Sequence, residues 1–225
     1  MTDELEEDIC KVMDWFEEEP SLWVVVVTGT GRAFCAGQDL KAWNKTAGSS
    51  NSPTTKIATN PHGFGSFARR RSKKTLIAAV NGMSFGGGTE LLLNCDIVVG
   101  CEGAPVGLPE VKRGVVASVG AHPTHLLAQH VFTSVVSTSQ VLSTAIEWAS
   151  RIVSCSPDAV WVTKEQINLW KDGKGIQEIV QESAKTEQAL ALYDGENLKE
   201  ALFFRFEQKR QPEWRDPPAL KKAKL

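Results

Sequence analysis

Apolar positions recur at Leu5, Ile9, Val12, Met13 and Phe16, a helical spacing that predicts a helix over residues 2–18 with an acidic outer face. Pro20 and Ser21 end it. Leu22 to Val27 is a continuous, largely β-branched run closed by Gly29, the pattern of a buried strand. Residues 41–63 are rich in Ser, Thr, Asn, Gly and Pro and read as a surface loop. Phe64 to Lys74 is expected as a basic helix, followed by a strand at Leu76–Val80. A glycine-rich turn from Ser84 opens into a helix at Glu90–Leu93, and Asp96–Gly100 is another apolar strand.

Further on, Val111 to Ser118 reads as a loop and His122–Gln129 as a helix. Residues 139–153 and 157–171 carry amphipathic helices, the second opened by Pro157 in the first turn. Gly173 and Gly175 break the pattern before a long helix over Ile176–Leu192 and a last one near Asn197–Gln208. Strands alternate with helices in the first half and helices fill the second, which predicts an α/β fold with a helical C-terminal region.

Composition narrows the function. A chain of 225 residues makes one domain, or one domain with a helical extension. A formal net charge of −2 argues against a broad nucleic-acid footprint. No apolar run approaches the roughly 20 residues that cross a bilayer. Met1–Asp8 is acidic, unlike a secretory or mitochondrial leader. Five cysteines without a CxxC pair suit a reducing compartment. The terminal Ala223-Lys224-Leu225 is close to the Ser-Lys-Leu address of peroxisomal import. A peroxisomal location and an import receptor as partner are therefore expected, with the cytoplasm as the alternative.

Two carboxylates carry the candidate chemistry. Glu90 closes Gly86-Gly87-Gly88-Thr89-Glu90 and Glu110 closes Gly107-Leu108-Pro109-Glu110. Each glycine before a helix disfavours it by roughly 1 kcal/mol against alanine, so three together suggest a close backbone approach. Leucines around Glu90 suggest an apolar setting, where desolvation would raise its pKa towards the range of a general acid or base. The plainer readings are a first-turn glutamate on a helix dipole and a loop carboxylate. Gly29-Thr30-Gly31 follows a strand, but the third glycine of a dinucleotide fingerprint would fall on Phe34, and no phosphate loop is present. His122, His125 and His130 lack a completing ligand set, so no metal is expected. Arg69-Arg70-Arg71-Ser72-Lys73-Lys74 reads as a solvated helix face. The tryptophans at 148, 161 and 170 fit core or interface packing of the helices.

In order, Thr28 to Lys41 with Ala36-Gly37-Gln38-Asp39-Leu40, then Ala78 to Glu90, Asp96, and Gly107–Glu110, resemble the enoyl-CoA hydratase/isomerase (crotonase) superfamily. The match is clear over about residues 5–127 and resumes at Ser156–Val160 and Gly195–Leu202. The resemblance implies a spiral of ββα turns over residues 1–130, a helical trimerisation region over 131–215 and a tail over 216–225, assembled as a homotrimer or homohexamer. It implies an acyl-CoA thioester as substrate, with coenzyme A part of that substrate and no separate cofactor. The backbone N–H groups of Gln38 and Gly87 match the oxyanion hole. Ala36, Gly37, Asp39, Leu40 and Gly86 match substrate-binding positions. Glu90 and Glu110 match the two acids that add water across a 2,3 double bond.

Both acids favour hydration. A double-bond isomerase in secondary-metabolite or siderophore biosynthesis, depending mainly on Glu110, stays open, as does an inactive acyl-CoA-binding paralogue. Two departures from the family stand out. The chain starts at the family's first helix, without the preceding strands. Val131-Phe132-Thr133-Ser134-Val135-Val136-Ser137 bridges a stretch where several tens more residues are expected.

Overall fold

A computed structural model describes residues 1–39, 60–113, 131–203, 210 and 212–217. Leu40, His122, His125, His130 and the Ala223–Leu225 tripeptide lie outside them. The chain divides into two compact units. One holds residues 1–15, 26–71 and 76–149, and the other holds 16–25, 72–75 and 150–225.

The first unit is built on two parallel sheets. β1 (Val24–Thr28), β3 (Thr75–Val80), β5 (Ile97–Cys101) and β7 (Ser134–Val136) form one, in that order. β2 (Ala33–Cys35), β4 (Met83–Phe85) and β6 (Val106–Gly107) form the other. Odd strands thus enter one sheet and even strands the other, so each successive pair advances the spiral by one strand in both. Every residue of β3 is buried, as a continuous apolar strand requires. Ile77–Val80 pair in register with Ile97–Gly100. Val131–Ser137 does more than bridge a gap: it supplies β7, which pairs with Val99–Cys101.

β4 escaped the sequence reading because three residues between glycine-bearing turns show no period. It matters most here, since Ser84 and Phe85 pair with Val106 and Gly107 and so bring the two glutamate-bearing motifs side by side. The expected basic helix at 64–74 is absent. Phe64–Ser66 is a 3-10 turn in which Gly65 (φ 62°) and Ser66 (φ 52°) take left-handed backbone, which an α-helix cannot continue. Arg70 and Lys74 are buried, at 6% and 0% exposure, so this segment is not a solvated face.

Helix α1 (Asp3–Glu18) spans the expected residues. Its Glu6, Cys10 and Asp14 recur every four residues and point one polar stripe at the 60–70 segment. Asn60 donates to Glu6 (2.8 Å), and Arg70 donates to Asp14 (2.7 Å) and contacts Cys10 Sγ (3.6 Å).

The second unit carries α4 (Pro157–Lys171), α5 (Ile176–Ser183), α6 (Glu187–Asp194) and α7 (Glu196–Phe203); α3 (Val141–Val153) precedes them. The expected single helix over 176–192 is two. Thr186 caps the second by accepting from Ala189 N–H (3.2 Å), so the chain leaves and re-enters helix without glycine or proline. Lys74 lies within this unit, donating to the carbonyls of Phe16 (2.5 Å) and Glu19 (2.6 Å) and lying 4.8 Å from the Phe16 ring centroid. Burial pushes its ammonium below the usual lysine range, opposed by the charges of Glu17, Glu19 and Asp216. Trp161 is buried and Trp170 is 66% exposed.

Candidate active site

The site grows from the turn between β4 and helix α2 (Gly87–Leu93). Gly86 adopts φ 58°, ψ −130°, a conformation closed to side chains. This lets the chain reverse from strand to helix within one residue. Gly87 then begins α2, where a first-turn N–H has no acceptor within its own helix.

Gly86 is also where the two glutamate-bearing motifs come together. A Cβ on it would lie 3.2 Å from Oε1 of Glu110, so the Glu110 carboxylate rests against the bare α-carbon. Its carbonyl accepts from the N–H of Glu90 (3.1 Å), one turn along α2. Glu90 is 1% exposed. Glu110 opens the 3-10 turn Glu110–Arg113 and is half-buried, and its Oε2 is buried with no hydrogen-bond partner among the described residues. An orphaned buried carboxylate oxygen costs about 1–3 kcal/mol, and it is an acceptor ready for a water or a substrate hydroxyl.

The candidate backbone donors, Gln38 and Gly87, lie on two neighbouring turns. Gly37 sits at φ 92°, and a Cβ there would lie 3.0 Å from the Phe85 carbonyl and 3.8 Å from the Gly87 nitrogen. The Ala36–Asp39 turn therefore lies against the Phe85–Gly87 turn. Gln38 directly follows Gly37 in that turn. Gly37 is buried, Gln38 and Asp39 are half-buried and Ala36 is exposed. Asp39 N–H donates to the Met1 carbonyl (3.1 Å), which holds the turn from its far side.

Two residues outside the motifs fix this arrangement. A Cβ on Gly87 would strike the Phe64 ring at 2.4 Å, so the ring covers the Gly87 backbone. At the other end of α2, Asn94 donates to the carbonyls of Phe67 (2.8 Å) and Arg70 (3.0 Å). The segment 64–70 thus grips α2 at both ends. The expectation of a basic helix over Phe64–Lys74 concealed this role.

Ligand atoms of Cys10, Asp14 and His62 lie within 4.8 Å of one another. The Arg70 guanidinium contacts the first two, so this cluster already holds a cation. Burial, together with Arg70, pushes the His62 imidazole below its ordinary pKa, with Asp14 opposing. Among the described residues no helix is long and apolar enough to cross a membrane.

The family model for enoyl-CoA hydratase/isomerase matches residues 1–131. Mevalonyl-coenzyme A hydratase of Aspergillus fumigatus is 38% identical over 92% of the chain and 83% of its own length. Carnitinyl-CoA dehydratase of Salmonella arizonae is 32% identical over 89% of the chain and 84% of its own. The crystal structure of enoyl-CoA hydratase from Bacillus anthracis superposes with a TM-score of 0.78 at 26% identity, covering 95% of this chain and 89% of that one.

Proposed function

Because the chain belongs to the enoyl-CoA hydratase/isomerase family, we propose that it adds water across the 2,3 double bond of an enoyl-CoA thioester, or removes it in reverse. The observation that carries this reading is the Glu110 carboxylate, with its partnerless buried oxygen, resting against Gly86 at the start of the short helix that bears buried Glu90, beside the turn of Gly37 and Gln38.

Glu90 and Glu110 share one water. Its hydroxide adds to C3 as one carboxylate takes the water's proton, and the other acid delivers a proton to C2. Between these events the thioester oxygen carries enolate charge. The Gln38 and Gly87 N–H groups hold that charge, each worth about 3 kcal/mol in comparable sites. Coenzyme A enters as part of the substrate. The Aspergillus relative makes a mevalonyl thioester the first acyl group to test. Loss of enoyl-CoA absorbance reports the reaction directly, and Glu90→Gln and Glu110→Gln should each abolish it. Robust hydration surviving both substitutions would end the two-acid mechanism.

The partnerless oxygen of Glu110 also supports a second reading, a double-bond isomerase working through Glu110 alone. Conversion of 3-enoyl-CoA by Glu90→Gln but not by Glu110→Gln would select it. Exposed Trp170, Ile176 and Tyr193 in the second unit support a homo-oligomer, which light scattering after size exclusion would detect.

A further inference from the structure

We propose that Thr89 is a positioning residue that sets the spacing between Glu90 and Glu110, an inference that rests on the two-acid reading above. Thr89 is fully buried. Its hydroxyl lies 2.8 Å from the Ser84 carbonyl and 2.9 Å from the Gly107 carbonyl. One proton serves two acceptors, which belong to the paired strands β4 and β6. The hydroxyl therefore ties α2 to both strands at the point where the two motifs run side by side.

The lever arms are short on both sides. Glu90 is the next residue along α2. Glu110 lies three residues beyond Gly107, and Pro109 stiffens the step between. The Gly86 N–H reaches the same Gly107 carbonyl (3.1 Å), but Gly86 precedes the helix, and segment 64–70 grips α2 from its other side. The Thr89 hydroxyl is the side-chain bond that fixes α2 to β4 and β6 one residue from Glu90. Helix preference does not account for threonine here, because its β-branch is mildly unfavourable in a helix of seven residues. The hydroxyl does account for it.

The test compares Thr89→Ser with Thr89→Ala, which share the loss of the methyl group and differ only in the hydroxyl. Hydration kcat and KM are measured beside the stoichiometry of acyl-CoA binding, which counts folded sites. We expect serine to retain kcat within about threefold. Alanine should lose about 10- to 100-fold per folded site, with KM within about twofold, as a misplacement of up to 1 Å implies. Equal kcat in the two variants overturns the proposal, and so does a loss explained wholly by fewer binding sites. Thr89→Val, closer to the native shape, should follow alanine; should it fail to fold, the serine–alanine pair still decides. Glu90→Gln and Glu110→Gln run in parallel. Hydration that survives in both removes the two-acid premise, whereas their inactivity with equal serine and alanine rates removes the Thr89 role alone.

Discussion

Alanine at position 86 should damage the chemistry out of proportion to its effect on stability. Gly86 has φ 58° and ψ −130°, and a methyl group there is strained by about 1–3 kcal/mol whatever its neighbours. The methyl also arrives 3.2 Å from Glu110 Oε1, so the carboxylate must yield by a few tenths of an ångström. If 1 Å of misplacement costs about 100-fold, that yield alone costs about 4-fold. If the turn relaxes instead, it carries the Gly87 N–H with it, and losing one oxyanion donor costs about 100-fold or more. Gly103→Ala is the matched control, because Gly103 also has a positive φ (71°) but nothing within 4 Å of the added methyl. Urea denaturation and steady-state hydration of the two variants give the answer. Both should lose about 1–2 kcal/mol of stability from the left-handed backbone, with Gly86→Ala the larger loss. Only Gly86→Ala should lose kcat, by about 4- to 100-fold per folded molecule. A Gly86→Ala enzyme with wild-type kcat would refute the placement of Glu110 at the reacting atoms.

Other perturbations probe the supports. Phe64→Ala should cost about 3–5 kcal/mol, and Gly87→Ala should unfold the turn by its 2.4 Å clash with the ring. The double variant should be more stable than the sum of the two by at least about 1 kcal/mol, seen as a recovered thermal midpoint. Asp14→Asn leaves the buried Arg70 without its counter-charge. Since Asp14 is itself 58% exposed, the loss should be about 1–2 kcal/mol in urea melts rather than that of a fully buried pair. Asp158 is buried, which raises its pKa above 3.8, against a lowering hydrogen bond from Asn197. The folded state therefore keeps a proton that the unfolded chain has released, so this residue's contribution to stability falls as pH rises from 3.8 through the raised value, and is flat above it. Asp158→Asn should remove that slope. Urea midpoints of variant and wild type that stay parallel across the window would contradict the burial penalty.

Much of the local geometry around the candidate site was legible because it demands unusual local sequence. Three glycines before a leucine-rich helix have few uses, and the Gly86 backbone and the Phe64 contact at Gly87 show why side chains are excluded there. Helix α4 was equally plain, with Pro157 at its start and Gly173 beyond its end. What pattern could not reveal is what distant segments impose. β4 is a strand because β2 and β6 flank it, not because Met83-Ser84-Phe85 prefers to be one. The basic 64–74 segment was expected as a solvated helix face, yet Arg70 turns inward to bind Asp14 and the Ser66 carbonyl (2.8 Å), bonds that a solvated helix face would not make. Nothing local marks Thr89, whose acceptors lie 5 and 18 residues away in sequence.

The parallel pairing of the strands has a kinetic consequence. Ala33 meets Met83, Ile77 meets Ile97, Ser84 meets Val106 and Val99 meets Ser134, with no hairpin among these pairs. Each ladder forms only after a crossover of about 20 residues or more has closed, so no local contact can seed the sheets. The Glu110 turn can meet α2 only once residues 84 to 107 have folded over one another. A refolding experiment should therefore show helical circular dichroism returning well before hydratase activity, with unpaired strand edges exposed in the interval. Dilute refolding, or a chaperone that shields those edges, should raise the yield of active enzyme more than any change at the site itself.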